Sequence, residues 1–137
     1  MSEPALWVGV GLLGGAGAVA RFLVSAAVAR RSAGWFPYGT LVVNLSGSAL
    51  LGLVAGFALH GDALTLVGGG LLGSYTTFST WMLDSERLAE RHGISPFGHR
   101  KRRPAGDVTV ALAANLLGSL LLGLAAVALG RALGGLF

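Results

Sequence analysis

Apolar residues occur along this chain in four long stretches with few charged positions between their ends. The stretches cover about residues 5–28, 39–59, 64–83 and 108–129. Each reaches or approaches the ~20 residues that a helix needs to cross ~30 Å of hydrocarbon. Because the stretches fill most of the chain, few polar faces remain for contact with water. The pattern predicts an all-α integral membrane protein with four transmembrane helices in one domain, residues 1–137.

The placement of basic residues predicts an orientation in the membrane. Only 12% of the residues are charged, about half the share of a water-soluble domain. With four spans, the first and third connections share one side and carry Arg30, Arg31, Arg87, Arg91, Arg100, Lys101, Arg102 and Arg103. The opposite side carries only Arg131. This bias predicts a cytoplasmic basic loop at about 87–106, with both termini outside, and makes "HRKRR" an orientation signal and not a nucleic-acid patch.

Small residues recur every four positions inside the spans. Gly11 and Gly15 form one such pair, and Gly52 and Gly56 form another. Lipid gives helices little hydrophobic reason to associate, so close backbone approach through small residues must hold them together. Most of these glycines are interpreted as helix contacts. Since four short spans bury little surface, self-association or a partner subunit is also expected.

The side chains inside the spans favour an anion over an enzyme substrate or a cation. The chain has no cysteine, and its three histidines all fall in connections without metal-ligand spacing. No acid lies deep in a span, which disfavours a small proton-coupled multidrug exporter, because such a carrier needs an intramembrane carboxylate. The spans instead contain Arg21 and neutral donors such as Asn44, Asn115 and Ser119. Each neutral donor is also a candidate for ordinary hydrogen bonding between helices.

The segment "LLGSYTTFSTWML", Leu71–Leu83, places a polar run inside the third apolar stretch. Six of the seven residues from Ser74 to Thr80 carry a hydroxyl. Glycine and β-branched residues weaken a helix, and hydroxyls compete for its backbone hydrogen bonds. The segment therefore predicts a helix broken near mid-membrane, whose freed carbonyls suit a hard cation such as Na⁺. The alternative is an intact helix with its hydroxyls bonded back to its own carbonyls.

Two aromatic residues follow this segment. Phe78 and Trp81 are three residues apart and so lie on one helix face. The edge of an aromatic ring is positive and can solvate a small anion without binding it as tightly as a full charge. Simple packing of both rings is the alternative. The residues alone thus indicate a helical pore or carrier for a small anion.

Three motifs resemble the Fluc/CrcB fluoride channels. They are "GGAGAVAR" at Gly14–Arg21, "GTLVVNLSGSALLG" at Gly39–Gly52 and "GLLGSYTTFSTW" at Gly70–Trp81. They occur in the family's order, and the resemblance covers nearly the whole chain. The resemblance implies an antiparallel dimer of four-helix subunits, with a structural Na⁺ at the interface and two fluoride pores.

The resemblance also assigns site residues. It implies that backbone carbonyls of Gly73 and Thr76 hold the Na⁺, which is not transported. The implied fluoride path comprises Arg21, Asn44, Phe78, Ser79, Thr80, Trp81 and, from a less distinct motif, Ser119. Trp81 departs from the family pattern, which has phenylalanine there, and brings an additional N–H donor. Ser74 stands where a second glycine is usual.

The implied function is passive export of cytoplasmic fluoride across the cell membrane of a prokaryote, which relieves fluoride toxicity. A homodimer with antiparallel subunits requires a chain that inserts both ways, whereas the charge bias of this chain predicts one orientation. We therefore expect a homologous partner subunit of inverted charge bias. A dual-topology homodimer is the alternative. A second alternative is that this chain is a non-conducting or partly conducting subunit of a heterodimeric fluoride channel.

Overall fold

Three long helices account for most of the described residues. The structure, a computed structural model, describes residues 1–32, 36–91, 110 and 112–136. Helix α1 spans Glu3–Arg31, helix α2 spans Tyr38–Gly56, and the last helix spans Ala114–Gly134. All three are long and apolar enough to cross a membrane. The described part of the chain is all-helical, as the sequence predicts.

The third apolar stretch consists of several shorter helical pieces. Helix α3 spans Gly61–Leu64, a π-helix spans Thr65–Leu72, and α4 spans Gly73–Tyr75. Helix α5 begins only at Ser79 and continues to Arg91. The link between them, residues 76–78, is not helical, and the backbone of Thr76 is extended, with φ −75° and ψ 160°. Non-helical backbone thus separates α4 from α5 within the third predicted span, residues 64–83.

The last helix also contains a π-helical turn. This turn spans Ala114–Gly118 and leads into helix α6, Ser119–Gly134. Helix α6 continues for five residues beyond residue 129, where the fourth predicted span ends. The reason is packing, since Gly130 and Gly134 near the end of α6 still lie against the backbone of α2. The part of the predicted basic loop from residue 92 to 106 lies outside the described residues.

Glycines set the distances between the long helices. Gly52 of α2 lies directly against the carbonyl of Val127 in α6, and Gly17 of α1 lies against the carbonyl of Leu71 in the π-helix. A Cβ atom at either position would overlap that backbone oxygen. The apolar pattern thus accounts for the helices themselves. The glycines allow α2 to pack closely against α6, and α1 to pack closely against the π-helix.

Both chain ends lie at the same end of the helix bundle. The amino group of Met1 is 2.6 Å from the Oδ2 atom of Asp62, in the short helix α3 that follows the end of α2. At the other terminus, Gly134 of α6 lies beside Gly56 at the end of α2. The first connection, which joins Arg31 to Tyr38, is therefore at the opposite end. This arrangement has the alternation of sides expected for a multi-pass chain.

Polar side chains occupy the interior as often as apolar ones do. Thr40, Ser85 and Asn115 are buried, and their hydroxyl or amide groups all take part in hydrogen bonds. Most apolar side chains of α1 and α6 point outward, where lipid would cover them. Such an arrangement suits a membrane, in which hydrogen bonds and close packing, and not exclusion of water, hold helices together. The chain is a multi-pass membrane protein.

Candidate functional site

The non-helical link after Tyr75 releases two backbone carbonyls. In a continuous α-helix, the N–H groups of Thr77 and Thr80 would bond to the carbonyls of Gly73 and Thr76. Here the Thr77 N–H donates to the Oδ1 atom of Asn44 at 2.9 Å. The Thr80 N–H donates to the Thr77 hydroxyl at 3.3 Å. The carbonyls of Gly73 and Thr76 therefore lose their usual helical donors.

Asn44 of α2 is the side chain that holds this link open. In addition to accepting from the Thr77 N–H, its Nδ2 atom donates to the Thr77 carbonyl at 3.0 Å. One side-chain amide therefore replaces both helical partners of a single residue. Gly47, one turn later in α2, provides the room, since a Cβ atom there would collide with the Thr76 side chain.

Carbonyl oxygens freed in this way suit a hard cation. Unwound backbone inside a membrane protein is known to coordinate Na⁺. The Thr76 hydroxyl donates to the Leu72 carbonyl at 3.2 Å and approaches the Gly73 carbonyl only at 3.5 Å. The described residues include no group of three or more histidine, cysteine, aspartate or glutamate side chains that could hold a metal ion. The donor chemistry of Gly73 and Thr76 is therefore compatible with the Na⁺ expected from the sequence.

A cavity of about 360 Å³ lies beside the link. Most of the predicted site residues line it, together with Thr77: Asn44, Gly73, Thr76, Phe78, Trp81 and Ser119. None of its described lining residues carries a carboxylate. The hydroxyl oxygen of Ser119 is buried and has no hydrogen-bond partner among the described residues. An unpaired neutral donor beside a cavity without acids suits an anion better than a cation.

The two aromatic residues meet in an edge-to-face contact. The ring centroids of Phe78 and Trp81 are 5.6 Å apart, and the ring planes make an angle of 73°. Phe78 is 69% exposed, so most of its ring is available to a partner, lipid or ion. The Nε1–H group of Trp81 donates to the Asn115 carbonyl at 3.1 Å. The additional donor expected from the sequence is therefore already engaged within the chain.

Three predicted residues do not line the cavity. Ser79 is exposed, and Thr80 accepts a hydrogen bond from the Thr77 hydroxyl at 3.1 Å. These hydroxyls form a short polar row that leads from the link into α5. Arg21 is half-buried on α1 and belongs to neither of the ion pairs formed in the described parts of the chain.

The nearest acid lies beyond this polar row. Asp84 accepts a hydrogen bond of 2.6 Å from Thr40, and its other carboxylate oxygen is 3.7 Å from a guanidinium nitrogen of Arg87. Both oxygens therefore have partners on α2 or α5. This carboxylate lies outside the lining of the cavity.

Sequence reasoning underrated Thr77, Ser85 and Asn115. Thr77 was one hydroxyl among several, yet its backbone and side chain organise the link. Asn115 was noted only as a donor on the last span, although it is among the most deeply buried side chains described. Its amide donates to the Ser85 hydroxyl at 2.8 Å. For Asn115, the only signal in the sequence is the amide side chain itself, because burying a polar group without a hydrogen-bond partner in a transmembrane span costs free energy.

Comparison with known proteins identifies the family of this chain. Residues 8–131 match the family described as "CrcB-like protein, Camphor Resistance (CrcB)". The chain belongs to the CrcB-like family. It is 50% identical over 127 residues to a protein of Mycobacterium tuberculosis (strain ATCC 25618 / H37Rv) named "Fluoride-specific ion channel FluC 2", with 93% of this chain and 89% of that protein covered.

Other CrcB-like relatives come from different bacteria. A "Fluoride-specific ion channel FluC 2" of Mycolicibacterium paratuberculosis is 47% identical over 133 residues, which are 97% of each chain. A "Fluoride-specific ion channel FluC 1" of Symbiobacterium thermophilum is 42% identical over 134 residues, with 93% of this chain and 96% of that protein covered. The similarity therefore spans all the elements that build the site.

Proposed function

We infer that this chain is a subunit of a fluoride-selective ion channel that exports cytoplasmic fluoride. The observation that carries this inference is the cavity beside the non-helical link, which joins neutral donors and ring edges without a carboxylate. The names of the CrcB-like relatives identify fluoride as the ion that those proteins conduct. Hydrogen fluoride enters a cell from acid surroundings and dissociates in the neutral cytoplasm. The trapped ion then leaves through the channel, driven by the membrane potential.

The proposed fluoride path uses partial charges in place of full charges. Two groups act as donors to fluoride. One is the Ser119 hydroxyl, which has no partner among the described residues, and the other is the Nδ2 hydrogen of Asn44 that does not bond to Thr77. The ring edges of Phe78 and Trp81 supply weaker positive potential. Ser79 and Thr80 extend the path along α5, and Arg21 attracts anions at its cytoplasmic end. Partial charges of this kind replace water around fluoride while still letting it leave.

The proposed Na⁺ is structural and would be held by the carbonyls of Gly73 and Thr76. It would supply a fixed positive charge near mid-membrane and join subunits whose carbonyls face one another. Its support is the redirection of the Thr77 and Thr80 N–H groups, which leaves these carbonyls without their helical donors. The broken third helix would thus serve assembly of an antiparallel dimer.

The proposed partner is a homologous subunit of opposite orientation. The basic residues of this chain favour insertion with both termini outside, and the shared location of the two termini at one end of the bundle is compatible with that orientation. Relatives with the names FluC 1 and FluC 2 are compatible with such a pair. A dual-topology homodimer is the competing assembly.

A second candidate function is that of a partly conducting or non-conducting subunit. Trp81 favours it, because the indole N–H bonds to Asn115 and the larger ring replaces the phenylalanine of the family. In a heterodimer of two different subunits, the pore lined by Trp81 would then lack its usual phenylalanine, while the other pore still conducts.

Fluoride release from lipid vesicles tests the proposed function. Vesicles loaded with potassium fluoride would contain this chain alone or together with a homologous chain of inverted charge bias from the same genome. Valinomycin then lets potassium balance the charge, and a fluoride electrode records the efflux. We expect efflux with both chains present. If efflux occurs with the partner but not without it, this chain is a subunit of a channel made of two different chains. If neither preparation releases fluoride, the proposed channel function is wrong.

A further inference from the structure

Three hydrogen bonds join Trp81, Ser85 and Asn115 in a closed ring. The indole Nε1–H donates to the Asn115 carbonyl at 3.1 Å, and the Asn115 Nδ2 atom donates to the Ser85 hydroxyl at 2.8 Å. The Ser85 hydroxyl completes the ring by donating to the Trp81 carbonyl at 2.9 Å. Asn115 is 1% exposed and Ser85 is 5% exposed. Burial removes these groups from water, so losing the Ser85 hydroxyl would leave the Asn115 side-chain amide without this partner, whereas the Asn115 carbonyl also accepts from the backbone N–H of Ser119.

These bonds, named here the Trp81 clasp, connect α5 to the last helix. Asn115 lies in the π-helical turn Ala114–Gly118, whereas Trp81 and Ser85 lie one turn apart on α5. One residue of the last helix therefore holds two successive turns of α5. Helix α5 makes few other contacts with the described part of the bundle. Among the described residues, the rotation and tilt of α5 therefore depend on this clasp and on the hydrogen bond from Thr40 to Asp84.

The ring of Phe78 also contacts the indole ring of Trp81. It belongs to the non-helical link, and most of its ring is exposed. Its aromatic neighbour among the described residues is Trp81, in the edge-to-face contact described above. A ring with so little other support takes its orientation from the neighbour that it touches. Contacts thus run from Asn115 through Trp81 to Phe78.

We propose that Trp81 is a positioning residue that fixes the orientation of Phe78 beside the fluoride path, and that its N–H group is not a donor to fluoride. The proposal rests on the proposed function insofar as Phe78 contacts the ion. The clasp itself is independent of the transported ion. Trp81 still forms part of the cavity wall through its ring.

Nuclear magnetic resonance of the indole N–H groups tests the clasp directly. The full-length channel, with its partner subunit if efflux requires one, would be labelled with ¹⁵N-tryptophan and placed in nanodiscs. We expect the Trp81 indole signal to remain at one position as fluoride is added up to the concentration that saturates efflux. Ser85→Ala should accelerate hydrogen exchange of this indole roughly fivefold, the factor that corresponds to one neutral hydrogen bond. The signal of Trp7, which is 61% exposed on α1, should be unaffected by this variant.

Fluoride efflux tests the link to Phe78. Trp81→Phe keeps a ring beside Phe78, whereas Trp81→Leu removes it, so the leucine variant should conduct roughly fivefold more slowly than the phenylalanine variant. Trp7→Phe makes the same chemical change at an exposed site and should leave efflux unchanged.

Four results distinguish failure of the clasp, of the positioning role and of the proposed function. A Trp81 signal that shifts with fluoride and reaches a plateau makes the indole a fluoride donor and overturns the proposal. Unchanged exchange in Ser85→Ala overturns the clasp, and equal efflux from the leucine and phenylalanine variants overturns the positioning role. Absence of fluoride efflux in the unmodified protein contradicts the proposed function instead, and the resonance measurements on the clasp still stand.

Discussion

The side-chain amide of Asn44 makes two hydrogen bonds to the backbone of Thr77. Its Nδ2 atom donates to the Thr77 carbonyl at 3.0 Å, and its Oδ1 atom accepts from the Thr77 N–H at 2.9 Å. A peptide group outside a helix must find both partners elsewhere, and inside a membrane no water provides them. Asn44 therefore supplies both hydrogen-bond partners that Thr77 needs in the interior of the bundle. It thereby stabilises the non-helical link beside the cavity.

The first prediction concerns Asn44→Asp. The aspartate has nearly the same shape and still accepts from the Thr77 N–H, but it cannot donate to the Thr77 carbonyl when ionised. We expect resistance to unfolding in detergent to fall by about 1–3 kcal/mol, the cost of an unsatisfied buried group, and fluoride efflux to fall with it. Ser46→Ala is the matched control on α2, since it removes a 2.9 Å bond to Tyr75 and leaves Thr77 untouched. Efflux from Asn44→Asp equal to that of the unmodified channel would contradict the role assigned to this amide.

The second prediction concerns Ser119. Its hydroxyl has no partner among the described residues, so Ser119→Ala breaks no known bond within the chain. If the hydroxyl donates to fluoride, efflux should fall by roughly tenfold to a hundredfold, because a hydrogen bond to a charged group is worth about 1.5–3 kcal/mol and each ~1.4 kcal/mol is a factor of ten. Stability in detergent should remain the same. A loss of stability without a loss of efflux would show instead that the hydroxyl has a structural partner in the assembled channel.

The third prediction concerns ion selectivity. Neutral donors and ring edges replace the water around fluoride, whereas the larger chloride ion is too large for the same contacts. Vesicles loaded with both ions should release fluoride and retain chloride, as measured with two ion-selective electrodes. Release of both ions at equal rates would refute a fluoride-specific path.

The fourth prediction concerns Gly73. A Cβ atom there would meet only the Gly68 carbonyl, at an ordinary distance of 3.5 Å, so the chain itself tolerates a side chain. If the carbonyl of Gly73 contributes to a Na⁺ site between subunits, Gly73→Val should weaken dimer assembly in the presence of Na⁺ while leaving the helix content unchanged. Gly15→Val is the control, because a Cβ atom at Gly15 meets nothing within 4 Å. A Gly73→Val dimer as stable as the control dimer would argue against the site.

The fifth prediction concerns orientation. The eight-to-one excess of basic residues on one side opposes insertion in the reverse direction. Topology reporters fused after Phe137 should therefore give a signal only outside the cell. A signal divided between both sides would support the dual-topology homodimer and remove the need for an inverted partner.

Much of this architecture is predictable because membrane spans are long and apolar. Helices α1 and α2 lie within a few residues of the predicted spans, and the non-helical link, residues 76–78, falls inside the polar run of the third stretch. Ser119 and Phe78 were predicted from residue type and family motif, and both line the cavity. Local composition was sufficient for these features, because each depends on residues close together in sequence.

Features that depend on contacts between distant residues were not predictable. The bond from Trp81 to Asn115 joins positions 34 residues apart, and no pattern in either segment specifies it. The same holds for the precise partners of Asn44, whose position was predicted but whose two bonds to Thr77 were not. The π-helical segments also left no recognisable signal, since apolar residues and glycine occur in them just as in the α-helical segments.

The π-helix at Thr65–Leu72 has a consequence for how this sequence can change in length. Each of its hydrogen bonds spans five residues instead of the four of an α-helix, so the segment holds a residue more than an α-helix would need at the same point. Deleting one residue here would restore α-helical winding and leave the following residues at about their present rotation, so that Ser74 would still face Gly14 of α1. The same deletion within an α-helical segment would turn everything that follows by about 100°. The loss of a single residue is therefore better tolerated in the π-helix than in the α-helices around it.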